Sequence, residues 1–330
     1  VDFTGSEEMR ELAALTRRVL EDGGDWATLV KVGVVDPGSI GLLEQCAVLT
    51  EIGRAVAPVP YLPAVTMAAS AIAKFGTPAQ IERWLMPVMR GETTFAVALP
   101  EVGAPCGFTA EGGRLSGEQT AVPFGAQADA FLVPAETPDG VRVFIAEQAE
   151  AQRQRVVDND DAALMRLDGV AGDPLAVDFE WLRQRGTVGL CATQLGVLES
   201  ALHRTAEYTK QREQFGHPIG SFQAVRQRLA DAYVDVEAVR LSLWQAAWRL
   251  SEDLPAAEEV ATAKYWAADA GHRVAHTAVH LHGGVGIDVD YPLHKYFVAA
   301  KRIEFTLGGA TAQLLALGHL LATRPDPATA

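Results

Sequence analysis

Arg212, Gln214 and Phe215 lie close together in KQREQFGHPIGSFQ (210–223), just before a turn signalled by Gly216, Pro218 and Gly220. The guanidinium is a planar fork of donors that fits two oxygens of a pyrophosphate at once. The Gln amide adds a donor and an acceptor, and the Phe ring offers a flat apolar face to a purine. Such a cluster suits a ligand that carries both phosphates and a ring. The string also reads as a plain corner between two helices, with a solvated Arg and one buried Phe, so spacing alone leaves both readings open. A second string, HLHGGVG (280–286), has Gly283 and Gly284 where backbone could approach a ligand closely, or where a helix simply stops. His272, His276 and His280 repeat at i, i+4 and i+8 on one helix face, but no carboxylate or Cys accompanies them in sequence, so no metal site is expected.

These strings need long helices to position them. Helical periodicity covers 6–22 behind a Ser6 cap, then 42–54, 64–75 and 78–90, the last opening on Thr77-Pro78; an apolar stretch LVKVGVVDPGSIGLL links the first two. From Thr93 the period changes to short Val- and Phe-rich segments punctuated by Gly, Pro and Asp: TFAVALP, GRLSGEQTAVP, ADAFLVPAE, VRVFIAE, RQRVV, LMRLDGV and PLAVDFE. Helix period returns over 186–212, 221–252, 256–281, 293–305 and 309–322, where Trp244, Trp248 and Trp266 fall at packing or interface positions. The expected fold is α+β: a helical domain at 1–92, a β-barrel or sandwich at 93–180, a helical bundle at 181–322 and a disordered tail at 323–330.

Composition narrows the function. The 330 residues are 48% hydrophobic and 21% charged, ordinary for a globular protein, and the net charge of −14 argues against sequence-independent binding to nucleic acid or to an anionic membrane. Cys46, Cys106 and Cys191 are odd in number and lack CxxC spacing, so they are expected to be core thiols in a reducing cytoplasm. No charged-then-apolar leader and no run of 18 or more apolar residues is evident in the sequence, so neither export nor membrane spanning is expected.

RxQFGxPIxxFQ between two long helices resembles the acyl-CoA dehydrogenase family. There the corresponding string reaches across a dimer interface to the neighbouring subunit's FAD. Companion strings follow in the family's order: FAVALPEVGAP, with Glu101, resembles its flavin-side strand and turn, and HLHGGVG resembles its QxxGGxG turn. The likeness runs from about residue 5 to about 320. It implies the family's acyl-CoA dehydrogenase-like fold and, for Arg212, Gln214, Phe215, Gln223, His280, Gly283 and Gly284, contacts to FAD. His280 stands where the family usually has Gln; both can hydrogen-bond an adenine or ribose edge. Around Val35–Ser39 the family's passage is longer, so this chain is either trimmed there or lacks some of those residues.

The resemblance also exposes losses. The family's reaction needs a carboxylate base in a dry pocket, and usually takes it from a Glu just before the last helix. Here that position falls on Leu307, Gly308 or Gly309, none of which can take a proton. The alternative base position, on the first C-terminal helix 26 residues before Arg212, is Gly186. Glu304 is the nearest carboxylate but lies about one helical turn early, so its side chain is expected to point elsewhere, into a surface or salt-bridged position. Where the family has a Trp-Ile-Ser/Thr string behind the flavin ring, this chain has TAVPFG (120–125), and GAPCG (103–107) replaces the Ser of the first flavin motif.

The parts serving the subunit's own flavin are thus degraded, while those reaching a neighbour's FAD remain. The chain resembles the small subunit of bacterial α2β2 acyl-CoA dehydrogenases of the sterol side-chain degrading type. That likeness implies a catalytic partner subunit, a shared FAD, an acyl-CoA substrate and an electron-transfer flavoprotein as acceptor. Two alternatives are a homomeric dehydrogenase with a relocated base and a flavin-free binding homologue.

Overall fold

In a computed structural model, which describes residues 5–158 and 161–323, the chain runs from helices into a β-sheet and back into helices, an α+β fold. α1 (Glu7–Glu21) starts at Ser6, whose hydroxyl accepts from the Met9 amide at 3.0 Å. An element that periodicity missed, the short α2 (Trp26–Lys31), is capped by Asp25 and runs into the start of the linking apolar stretch. α3 (Leu42–Ala55) and α4 (Leu62–Phe75) follow, and α5 (78–89) opens on a reciprocal cap between Thr77 and Gln80.

The strands are β1 (Phe95–Val97), β2 (Phe108–Glu111), β3 (Arg114–Pro123), β4 (Ala130–Thr137), β5 (Gly140–Ala146), β6 (Glu150–Arg155), β7 (Asp161–Ala171) and β8 (Asp173–Leu175). They form one sheet in the order β6-β7-β3-β2-β4-β5-β8, with β1 parallel on β4. β3 slips register between Gln119 and Val122, and the irregularity holds Ala121 at φ 56°. The expected helix at 186 begins earlier. PLAVDFE ends its strand at Leu175, and Asp178 caps a helix whose first residue is Phe179, its carboxylate accepting from the Glu180 and Trp181 amides. A cap inside an apparently extended stretch moved this boundary.

The C-terminal bundle comprises α6 (Phe179–Gln211), α7 (Gln223–Ser251), α8 (Ala257–His282), α9 (Leu293–Phe305) and α10 (Ala310–Ala322). α3 crosses α6 at near backbone contact: a Cβ on Gly53 would sit 1.9 Å from the Thr193 carbonyl oxygen, and one on Gly196 only 1.8 Å from that of Thr50. Only glycine fits either position. The main apolar core lies between α3 and the bundle, and a second core packs α4 on β1 and β4. Leu293–Ala322 has the length and apolar composition of a membrane span, which the sequence reading did not find, but α9 ends at Phe305 and α10 begins at Ala310. Apart from Thr323, the tail expected to be disordered lies outside the described residues.

Candidate functional site

A cavity of about 610 Å³ lies between α3, α6, the 120–124 stretch of β3 and the turn after α9. Its walls are mainly apolar, among them Leu49, Ile52, Leu99, Leu190 and Ile303. Gly186 is part of the wall, and a Cβ there would meet Met67 Cε at 3.0 Å and Leu99 Cδ1 at 3.1 Å. Leu307 closes another side from a turn in which Leu307 and Gly308 take φ of 56° and 88°. That turn is pinned from two directions. The Gly308 amide donates to Glu101 Oε2 at 2.8 Å, and the fully buried Lys264 ammonium donates to the carbonyls of Ile303, Glu304 and Gly308 at 3.1, 3.2 and 3.0 Å. Burial holds the Lys264 pKa below the usual lysine range.

Two carboxylates, Glu101 and Asp158, line the cavity among the described residues. Glu101 accepts from the Gly308 amide, and both oxygens of Asp158 accept from Arg302 Nη1, at 2.9 and 3.0 Å. Glu304 is not in the wall. Its carboxylate accepts from Lys301 at 2.6 Å and lies 3.2 Å from His272 Nδ1. In the 120–124 stretch, the Ala121 amide donates to Gln154 Oε1 at 2.7 Å and the Phe124 amide to the Asp161 carbonyl at 2.9 Å, while Pro123 has no amide hydrogen. Buried Cys46 and Cys191 have their thiol pKa values pushed up to about 12 by desolvation, and Cys106 is half-buried and also raised.

The Arg212 corner has a different character. Glu213–Gln214 (β9) and His217–Pro218 (β10) pair as a hairpin too short for periodicity to find, with Phe215 and Gly216 as its two turn residues at φ 56° and 78°. Phe215, which the plain-corner alternative would bury, is 89% exposed. It touches Phe222 edge-on at 6.3 Å between ring centroids. Arg212 and Gln214 are exposed and, among the described residues, their side chains have no hydrogen bond or ion pair; Gln223 is the exposed first residue of α7.

One contact that the sequence did not suggest joins this corner to the glycine turn. Tyr208, one helical turn before Arg212, stacks on His282 at 4.2 Å between centroids, and its hydroxyl donates to the His282 carbonyl at 3.3 Å. Gly283 follows directly, at φ 64° and ψ −141°, so the two strings sit at the same end of the bundle. His280, Gly283 and Gly284 are exposed, and a Cβ on either glycine would meet nothing within 4 Å. His282 is buried, its Nδ1 donates to the Ala278 carbonyl at 2.8 Å, and desolvation lowers its pKa. In the histidine stripe, His272 and His276 lie 4.3 Å apart between centroids; no group of three metal-holding side chains occurs among the described residues.

This arrangement has known counterparts. The acyl-CoA dehydrogenase C-terminal domain pattern matches residues 182–319, and the N-terminal domain pattern matches 33–92. Acyl-CoA dehydrogenase FadE27 of Mycobacterium tuberculosis is 45% identical over 97% of this chain and 93% of its own length. The chain belongs to the acyl-CoA dehydrogenase family. Among solved structures of that family, one chain of the ChsE4-ChsE5 complex from Mycobacterium tuberculosis superposes with a TM-score of 0.92 at 41% identity, covering 99% of this chain and 100% of that one. A chain of the Tcur3481-Tcur3483 steroid ACAD G363A variant follows at 0.89 and 38%, covering 96% and 98%.

Acyl-CoA dehydrogenases are FAD-binding flavoproteins, and the fit of this chain to FAD differs between its two halves. The outward end offers what a dinucleotide's phosphates and purine need: the unengaged Arg212 guanidinium, an exposed ring at Phe215 and open backbone at Gly283 and Gly284. The 121–124 stretch, where a flavin ring would need donors at its edge, has the Ala121 and Phe124 amides committed internally and a proline between them.

Proposed function

We propose that this chain is the non-catalytic subunit of a heteromeric, FAD-dependent acyl-CoA dehydrogenase. It supplies trans contacts to an FAD held by a catalytic partner subunit and lacks a base of its own. The observation that carries this reading is at the two family base positions: Gly186 and, of the three candidates 307–309, Leu307 stand in the cavity wall, none of the four can take a proton, and both lining carboxylates already have partners. The exposed corner supports the other half. A Phe held outward at positive φ and 89% exposed, with only an edge contact to Phe222 among the aromatic rings described, leaves a ring face open for an aromatic contact to a neighbour.

The reaction removes the α-proton of a CoA thioester as its β-hydrogen leaves as hydride, and bound FAD supplies the hydride acceptor. This chain provides no proton acceptor for that step. Its contributions are Arg212 to the pyrophosphate, Phe215 to the flat apolar portion, Gln214, Gln223 and His280 to polar edges, and Gly283 and Gly284 as surfaces that allow backbone approach. The complex is read as an α2β2 tetramer acting on a steroid side-chain acyl-CoA. A heteromer is supported by the ChsE4-ChsE5 complex and a steroid substrate by the Tcur3481-Tcur3483 steroid ACAD, to one chain of each of which this chain is 41% and 38% identical respectively; the α2β2 count and the side-chain acyl-CoA follow the resemblance in sequence. An electron-transfer flavoprotein as acceptor follows the family resemblance, and a cytoplasmic location follows the three unpaired cysteines. The test is co-expression with a family member that carries the Glu base and the Trp string behind the flavin ring: yellow, active protein from the pair and colourless, inactive protein from this chain alone support the reading. Yellow and active protein from this chain alone overturns it.

A further inference from the structure

If the subunit does not turn over substrate, its cavity is free for another use. We propose that the cavity is a binding site for an uncharged, mainly hydrocarbon ligand of steroid size, held without reaction; the proposal rests on the reading of a silent subunit.

Protein interiors are close-packed, and a site released from catalysis would be expected to fill with side chains. This one has about 610 Å³ of space, within the range of ligand pockets, and an apolar lining drawn from α3, β1, α6 and α9. Gly186 leaves its part of the wall bare: a side chain there would press on Met67 and Leu99. The charges at the rim decide the class of ligand. Arg302 is committed to both oxygens of Asp158, Lys301 to Glu304 at 2.6 Å, and Glu101 to the Gly308 amide at 2.8 Å. Both wall cations are thus engaged by carboxylates, and Glu101 keeps its negative charge beside an amide donor, so an anionic ligand would enter without a counter-charge whereas an uncharged one meets no such penalty. The Gln119 amide lines the same cavity and makes only a 3.5 Å contact to the Thr120 carbonyl, which leaves it able to meet a hydroxyl or ketone. Neither family base position carries a carboxylate, so the ligand is held intact.

The experiment uses the assembled complex with its partner and progesterone as the neutral probe, with the same ring system bearing a carboxylate as the contrast. Calorimetry should show progesterone sites numbering one per copy of this chain beyond those of the partner. Leu190→Trp and Gly186→Leu, made in this chain only, should each remove that class or weaken it at least tenfold while the mass of the complex is unchanged. Crystals of the unsubstituted complex grown with progesterone should show it between Leu190 and Ile303, a readout that does not depend on either variant folding. Unchanged site number and affinity in the assembled variants, equal binding of the carboxylate at this site, or progesterone density confined to the partner would each overturn the proposal. Flavin released from the same samples checks the silent-subunit reading separately, since one flavin per chain would remove that reading whatever the progesterone count.

Discussion

The cavity wall and the Arg212 corner share the long helix α6 yet treat their polar groups in opposite ways. At the wall, groups that could act on a ligand are spent inside the chain: Glu101 on Gly308, Asp158 on Arg302, the Ala121 amide on Gln154. At the corner they are left open, with Arg212 and Gln214 exposed and Phe215 held outward at positive φ. Glycines divide the same way. Gly53 and Gly196 are glycine because backbone carbonyls lie within 2 Å of where a Cβ would be, whereas Gly283 and Gly284 have nothing within 4 Å inside the chain. Internal commitment marks residues that serve the fold, and unmet capacity marks those that serve something outside it.

The sharpest way to break this contrast is to ask each region to do the other's work. This chain alone should show no turnover of acyl-CoA above background, because it lacks both a flavin of its own and a base whose loss by itself costs about 10²–10⁴-fold. Glu304→Gln in the complex should leave turnover within about twofold, because its carboxylate is held by Lys301 outside the cavity. Steady-state rates of the chain, the complex and the variant check both. Substantial turnover by the chain alone that is lost in Glu304→Gln would restore the relocated-base alternative.

Next in size come the glycines. Gly196→Ala should destabilise the chain by about 3 kcal/mol or more, since overpacking costs about 1–3 kcal/mol even where side chains can yield and here a carbonyl stands 1.8 Å away. Gly284→Ala should change stability by less than about 0.5 kcal/mol, as surface substitutions usually do, yet loosen FAD in the complex. Chemical denaturation and FAD titration on the pair separate fold from function. A Gly284→Ala complex with unaltered FAD affinity would mean that the turn does not approach the ligand.

Arg212→Ala should weaken FAD retention by the complex by about tenfold to a hundredfold, the loss of one charge-assisted bond of about 1.5–3 kcal/mol, with little effect on the chain's own stability. The smallest effect concerns pH. Burial lowers the His282 pKa below the ordinary histidine value of about 6.5, so the folded state favours neutral imidazole. Its contribution is present above the unfolded value and is lost as pH falls from about 6.5 toward the lower folded value, because the unfolded chain binds the proton first. Melting temperature should therefore decline on acidification through that window, and less so in His282→Gln. An equal decline in both would remove His282 as the cause.

Much of this was legible in the sequence. The change from period 3.6 to short β segments and back marked the order of the elements, and the RxQFG corner drew attention to residues that the structure leaves open. The boundary at Phe179 was misplaced because Asp178 ends PLAVDFE as plausibly as it caps a helix. The 213–218 hairpin escaped because two-residue strands carry no period. The contacts that seal the cavity were out of reach for a different reason. Arg302 and Asp158 are 144 residues apart, and the register slip that turns Ala121 toward Gln154 leaves no mark in residue type. Lys264 likewise reads as an ordinary helical lysine until the fold buries it against three carbonyls.

The central claim is that one region is an intact half-site and the other a lost one, and counting flavin tests it most directly. A full site needs a ring pocket from one subunit and an Arg212-type corner from its neighbour. Absorbance of flavin released from a known amount of purified complex should give one FAD per heterodimer, two in an α2β2 tetramer. Four per tetramer, or a flavin ring resolved against Pro123, would contradict the account and show that this chain holds a flavin of its own.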